Sequence, residues 1–282
     1  VSIRYVDAEV VKNTVRELCV QANTILRPDV LEAIKKLHRS ETLPLAAKML
    51  EVLIQNADIA HRDTLPLCQD TGMVTVFMTI GCDVVVRGVN ITESVNEGVA
   101  AAYREGHFRK SIVADPLLRV NTGTNTPAVV HIDVTDGDKV EIAVMPKGFG
   151  SENKGRMVML NPTAGSEEIV NFCVETVRLA GPDACPPYIL GVGLGGTMEQ
   201  CAGLAKKALL RPLSSVSAKP HIAELERKIK VKTNELEIGV MGLGGASTVM
   251  AVLVAEAPTH IAGLPMAVNL SCHALRSASA VI

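Results

Sequence analysis

The spacing of apolar residues changes near residue 60, and this change constrains the fold more than any other feature of the chain. Over 6–60 the apolar positions recur at helical spacing: Val11, Val15, Leu18 and Ala22, then Leu31, Ile34 and Leu37, then Leu45, Met49, Leu50 and Leu53. The steps Arg27-Pro28 and Leu43-Pro44 divide the three runs, because a proline disfavours helix at the residue before it. From residue 66 β-rich segments take over. Strands are predicted over 73–80, 83–89, 128–135, 139–145, 188–192, 249–256 and 266–272, and Asp136-Gly137 between two of them is a hairpin signal. Helices are predicted over 92–105 with Thr92 as cap, over 166–180 with Ser166 as cap and Gly181 as stop, and over 197–210 and 221–232. Residues 212–220, rich in Ser and Pro, predict a loop. The expected architecture is mixed α/β. An N-terminal helical layer, residues 1–60, packs on an α/β (α+β) domain with a mixed sheet, residues 61–282.

A chain of 282 residues that is 48% apolar can bury a sizeable core. With no Trp, three Tyr and four Phe, that core must be built from Val, Leu, Ile, Ala and Met. The net charge of −2 and the lack of a basic stretch exclude a general nucleic-acid binder, which needs a cationic footprint. No run of about 18 apolar residues occurs, so no membrane span is expected. The N-terminus lacks the basic-then-apolar order of a signal peptide, and a cytoplasmic location is expected.

Seven cysteines stand at 19, 68, 82, 173, 185, 201 and 272. Their number is odd and no CxxC pair occurs, which argues against a disulfide framework and against a compact zinc knuckle. Cysteines that bind metal here must come together from far apart in the chain. Cys19, Cys173 and Cys201 fall on apolar faces of helical stretches and read as small buried hydrophobes, and Cys82 after Gly81 also reads as structural. Cys68, Cys185 and Cys272 lie at element boundaries among small or polar residues, where a sulfur can point into a cleft.

Glycines form a second pattern. Gly191-Val192-Gly193-Leu194-Gly195-Gly196 fits the GxGxxG spacing of a dinucleotide turn between strand and helix. No strand ending in an acidic residue follows at about 20 residues, as that fold requires. A tight strand-to-helix packing turn and a nest of backbone N–H groups for negative charge are the other readings. Gly193–Thr197 is echoed by Gly242–Ser247, which suggests two similar turns facing one site.

Five segments in order, PLCQDTG (66–72), KGFGSENK (147–154), CPPYILGVGLGGT (185–197), LAKKALLRPL (204–213) and THIAGLPMAVNLSC (259–272), resemble the N-terminal region of class I iron–sulfur fumarases. The α subunits of two-subunit fumarases and L-tartrate dehydratases share the pattern. The resemblance runs from about residue 45 onward. It implies a 4Fe–4S cluster on three thiolates, those of Cys68, Cys185 and Cys272. Three thiolates leave one iron with open coordination positions, suited to Lewis-acid hydration chemistry rather than electron transfer.

The same resemblance implies that Gln69 and Asp70 touch the substrate, that Asp70 exchanges a proton with the hydroxyl or water, and that His260 reaches the same hydroxyl. Arg109, with Arg104 close by, is implied to grip a substrate carboxylate, and the segment around Gly148 and Gly150 to present backbone N–H groups to the substrate. His273 is read as a support of its neighbour Cys272.

Single-chain class I fumarases continue into a second domain that carries the proposed base and further cationic anchors, and this sequence contains no counterpart. A separate β subunit in an α2β2 assembly is therefore expected. The expected reaction is reversible hydration of a C4 dicarboxylate, first fumarate to (S)-malate, with L(+)-tartrate dehydration as the alternative. A NAD-dependent oxidoreductase, resting only on 191–196, and a non-catalytic iron–sulfur sensor are the readings from other classes.

Overall fold

Pro28 and Pro44, which divide the helical runs, become the first residues of helices. A proline suits that position because the first-turn N–H has no partner within the helix. The computed structural model describes residues 3–282. Its elements are, in chain order, β1 (Arg4–Asp7), α1 (Ala8–Thr24), α2 (Pro28–Ser40), α3 (Pro44–Asp63), β2 (Met73–Gly81), β3 (Val84–Arg87), α4 (Ile91–Glu105), β4 (Val129–Thr135), β5 (Val140–Lys147), α5 (Phe149–Glu152), β6 (Arg156–Leu160), α6 (Ser166–Ala180), β7 (Tyr188–Gly195), α7 (Met198–Ala208), α8 (Pro220–Asn234), β8 (Val249–Ala257), β9 (Leu264–Ser271) and β10 (Ala278–Val281). The mixed α/β class is as expected. Two caps fall upstream of their predicted residues. Asn90 Oδ1 accepts from Thr92 N at 2.8 Å and caps α4. Gly165 precedes α6 and donates its N–H to the Glu168 carboxylate at 2.9 Å.

The chain divides into two compact units. The first takes the chain up to Arg27, then Ala57–Phe149 and Arg276–Ile282; the second takes Pro28–Asn56 and Gly150–Leu275. The N-terminal helical segment is thus shared between them, with α1 in the first and α2 in the second.

In the first unit a four-stranded sheet has the order β10-β5-β2-β4. Val74, Val76 and Met78 of β2 and Val140, Ile142 and Val144 of β5 bury one face of it against Val11, Val15 and Leu18 of α1 and Val95 and Val99 of α4. The Asp136-Gly137 turn does not make a hairpin. β2 lies between β4 and β5, parallel to the first and antiparallel to the second. The turn is instead held by the β2–β3 connection, whose Cys82 and Asp83 N–H groups donate to Thr135 O at 2.7 Å and Gly137 O at 3.0 Å.

In the second unit the sheet order is β6-β9-β7-β8, with β7 and β8 parallel and the other pairs antiparallel. β7 is buried along its whole length. Tyr188, Leu190 and Val192 face α6 and α8, whereas α7 covers the other side. The strands β1, β6 and β10 are short and carry no clear alternation, and none was predicted. No helix among the described residues is long and apolar enough to cross a membrane.

Candidate active site

The residues singled out in the sequence fall in both units: Cys68, Gln69, Asp70 and Arg109 in the first, Gly150, Cys185, His260 and Cys272 in the second. In the first unit the 66–72 segment is irregular backbone between α3 and β2, tied down at many points. Leu67 N donates to Asn23 O at 2.8 Å. Asp70 uses its carboxylate to hold the turn, Oδ1 accepting from Gly72 N at 3.0 Å and Oδ2 from Phe149 N at 2.8 Å. Each oxygen keeps a second lone pair for another donor. Gln69 is exposed. Thr71, buried, donates from Oγ1 to the Arg109 carbonyl at 2.8 Å, so the backbone of Arg109 is fixed beside this segment while the residue itself is exposed. Arg104 belongs to α4 and lies 3.9 Å from Glu105.

In the second unit Cys185 sits at φ +58°, a left-handed conformation that costs a non-glycine residue about 1 kcal/mol or more. Its N–H donates to Pro182 O at 3.1 Å. Its carbonyl accepts from His273 N at 3.2 Å and lies 3.1 Å from His273 Nδ1. His273 thus ties the Cys185 segment to the strand end that carries Cys272, a support role that its place in the sequence had suggested. Tyr188 closes the segment from below, donating from its hydroxyl to Gly181 O at 2.5 Å. Burial first, and the nearby Cys185 and Cys272 sulfurs after it, push the Tyr188 hydroxyl well above its ordinary pKa, so it stays a donor.

The glycine run has a packing explanation. A Cβ on Gly191 would lie 2.0 Å from Ala205 O, and one on Gly193 2.1 Å from Cys201 O, so α7 occupies the space a pyrophosphate would need. Cys201 Sγ donates back to Gly193 O at 3.2 Å. The turn after the run carries a different load. Gly196 N donates to Pro258 O at 3.1 Å and Thr259 Oγ1 to Gly196 O at 3.1 Å, which fixes the loop bearing His260. His260 is exposed and its Nδ1 accepts from Ala262 N at 3.1 Å, so in the neutral ring the proton is on Nε2. The second glycine run is not a copy of the first. It forms a short 3₁₀ turn over 240–242, from which Met241 N donates to Pro186 O at 2.8 Å. One run steadies the His260 loop, the other the Cys185 segment. Around Gly150 an added Cβ would meet nothing within 4 Å, so no packing demand explains glycine there.

The seven thiols sort by environment. Cys19, Cys173 and Cys201 are fully buried, as expected, and burial pushes their thiols up, Cys201 to about 11. A thiolate is the metal-binding form, so these are poor ligands. Cys82 is exposed on the β2–β3 turn. Cys68, Cys185 and Cys272 are the partly exposed set, and three soft donors on anchored backbone are the chemistry an iron–sulfur cluster takes. No group of three or more His, Cys, Asp or Glu among the described residues closes on a single-ion site. A four-iron cluster sets its thiolates on different irons and needs no such shell.

Several supporting residues escaped the sequence reading: Asn23, Tyr103, Asn125 and Arg276 in the first unit, and in the second Lys206, 2.5 Å from Glu152, and Asn269, which donates to the same carboxylate. The last two do fall inside segments 204–213 and 259–272, a signal that motif membership alone could have given.

The profile of the fumarate hydratase (fumerase) family matches residues 12–281. A Methanocaldococcus jannaschii protein provisionally named L(+)-tartrate dehydratase subunit alpha is 38% identical over 274 residues, 95% of this chain and 96% of its own. The L(+)-tartrate dehydratase subunit alpha of Escherichia coli O157:H7 is 33% identical over 264 residues, 92% of this chain and 86% of its own. That of Escherichia coli K12 is 32% identical over the same shares.

Proposed function

The chain belongs to the fumarate hydratase (fumerase) family, and from that membership we propose that it is the α subunit of an iron–sulfur hydro-lyase acting on a C4 dicarboxylate, with L(+)-tartrate ahead of fumarate. This order reverses the expectation from sequence, because the similar proteins carry the tartrate dehydratase name. The observation that carries the reading is the sorting of the thiols: the three cysteines of the resemblance are the partly exposed ones on anchored segments, while the three in helices are buried.

In this reading Cys68, Cys185 and Cys272 hold a 4Fe–4S cluster within 61–282, and a β subunit completes a cytoplasmic α2β2 enzyme. When bound, the cluster supplies a Lewis-acidic iron for the substrate hydroxyl and an adjacent carboxylate. Asp70 offers its free lone pairs to the proton of that hydroxyl, while its backbone-bound oxygens keep it from swinging away. His260 presents Nε2–H outward from a loop fixed at Thr259. Arg109 takes a carboxylate in a two-pronged grip, and Gln69 and the N–H groups near Gly150 bind the rest of the substrate. Loss of water from L(+)-tartrate gives the enol of oxaloacetate; the carbon-bound proton goes to a base on the β subunit.

The test is an anaerobic, iron-reconstituted preparation of this chain with its β partner, assayed with both substrates. Faster turnover of tartrate at low concentration supports the reading. Preference for fumarate restores the other order, and a loaded cluster inert to both dicarboxylates replaces the hydro-lyase with a sensor.

A further inference from the structure

We propose that Tyr103 and Arg276 are positioning residues, a buried bed of donors that sets the segment carrying Cys68, Gln69 and Asp70. The proposal rests on the hydro-lyase reading above. Three consecutive carbonyls of the segment lie on this bed. Asp70 O accepts from Arg276 Nη2 at 2.8 Å. The Tyr103 hydroxyl lies against Thr71 O and is 3.2 Å from Gly72 O, which also accepts from Asn125 Nδ2 at 3.1 Å. At the other end, the residue whose carbonyl holds Leu67 N, Asn23, accepts from Arg276 Nη1 at 3.2 Å through its own Oδ1. One guanidinium therefore fixes both flanks of Cys68 and Gln69.

The cost of this arrangement separates it from ordinary packing. Tyr103 and Asn23 are 0% exposed and Arg276 is 3% exposed. Burying a guanidinium is expensive unless its donors are well used, and an apolar side chain of similar size would fill the space at lower cost. Arg276 Nε is buried with no hydrogen-bond partner among the described residues, so the side chain is not optimised for its own satisfaction. Its two terminal nitrogens are aimed at the segment instead. A Cβ on Gly148 would lie 3.2 Å from Asp70 Oδ2 and 3.3 Å from Arg276 Nη2, so the carboxylate and the cation flank one bare backbone position. Burial holds the Tyr103 hydroxyl above its ordinary pKa, which keeps it protonated and donating.

Tyr103→Phe keeps the ring and removes the donor. Arg276→Gln removes the charge, and Arg276→Lys restores it. In the reconstituted α–β enzyme each variant should keep its iron content. Tyr103→Phe and Arg276→Gln should lower kcat about 10- to 100-fold while KM moves less than about threefold, because misplacement of groups acting in the transition state shows in kcat. Arg276→Lys should recover part of that loss. Amide exchange over 67–72, measured on the chain with and without its cluster, should quicken in Tyr103→Phe. Unchanged kcat and unchanged exchange in Tyr103→Phe would overturn the proposal, as would losses of kcat that merely track lost iron. If the Arg276 variants fail to fold, Tyr103→Phe decides alone. If the unsubstituted enzyme turns over neither dicarboxylate, the hydro-lyase reading fails, and the exchange data still decide whether the bed orders the segment.

Discussion

The segment of Cys68 is held mostly by side chains reaching in from distant parts of the chain, whereas the segment of Cys185 is held mostly by main-chain hydrogen bonds, one to Pro182 close by and others to the distant His273 and Met241. Asn23, Tyr103, Asn125 and Arg276 converge on the first segment from α1, α4, a loop and the stretch before β10. Around Cys185 the contacts are a turn to Pro182, a left-handed residue, a carbonyl bound by His273 and a backbone N–H from Met241 to Pro186. A segment held by side chains can be loosened one donor at a time without any change of shape. One held by backbone conformation yields mainly to substitutions that alter the path of the chain.

The largest effect tests whether both segments serve one centre. Cys68→Ser, Cys185→Ser and Cys272→Ser should each strip the protein of its iron, while Cys82→Ser and Cys173→Ser keep the full complement; iron retained in any of the first three breaks the comparison. Next is Gly72→Ala. Gly72 has φ +79°, and a Cβ there would lie 2.7 Å from the Lys147 backbone, so even the side-chain-held segment has one position that obeys backbone rules. Denaturant titration should show a loss of about 3 kcal/mol. His273→Ala should cost about 1–2 kcal/mol by the same measurement and speed iron release, since it takes the imidazole off the Cys185 carbonyl and leaves that oxygen only the main-chain N–H of residue 273. Thr71→Val should cost about 1 kcal/mol and raise KM for the dicarboxylate more than it lowers kcat, if the Arg109 backbone is placed through Oγ1. The smallest effect concerns reactivity alone. In the native apo-protein at mildly alkaline pH, mass mapping should find Cys82 alkylated and Cys201 untouched, because a thiol pushed up to about 11 remains protonated until the pH approaches that value.

The N-terminal helices were legible because each buries one stripe, and a stripe leaves its period in the sequence: Val11, Val15, Leu18 and Ala22 are all in the core. The β4–β5 relation was not. Asp136-Gly137 specifies a tight turn but says nothing about what lies between the strands it joins, and β2 lies there. The glycine run misled toward a nucleotide for a similar reason. Glycine marks a close approach, and here the approaching body is helix α7, not a phosphate. Of the candidate site, the sequence marks Cys68, Cys185 and Cys272 as lying at element boundaries, and the three are partly exposed there; their role as a set is implied by the resemblance. Tyr103 and Arg276 were not, since a tyrosine on the apolar face of α4 reads as core and a lone arginine near a strand reads as surface. Only the fold shows that both aim their donors at carbonyls far away in sequence.

The insertion of β2 between β4 and β5 also bears on how this sheet can form. A hairpin zips locally in microseconds, with its turn as nucleus. Here Phe77 must find His131 on one side and Ala143 on the other; β4 has no other partner strand, and the other partner of β5 is β10, from the far end of the chain. Both pairings close long loops first, so the turn at Asp136-Gly137 cannot start the process, and the central sheet of the first unit is expected to form late and as a single cooperative event.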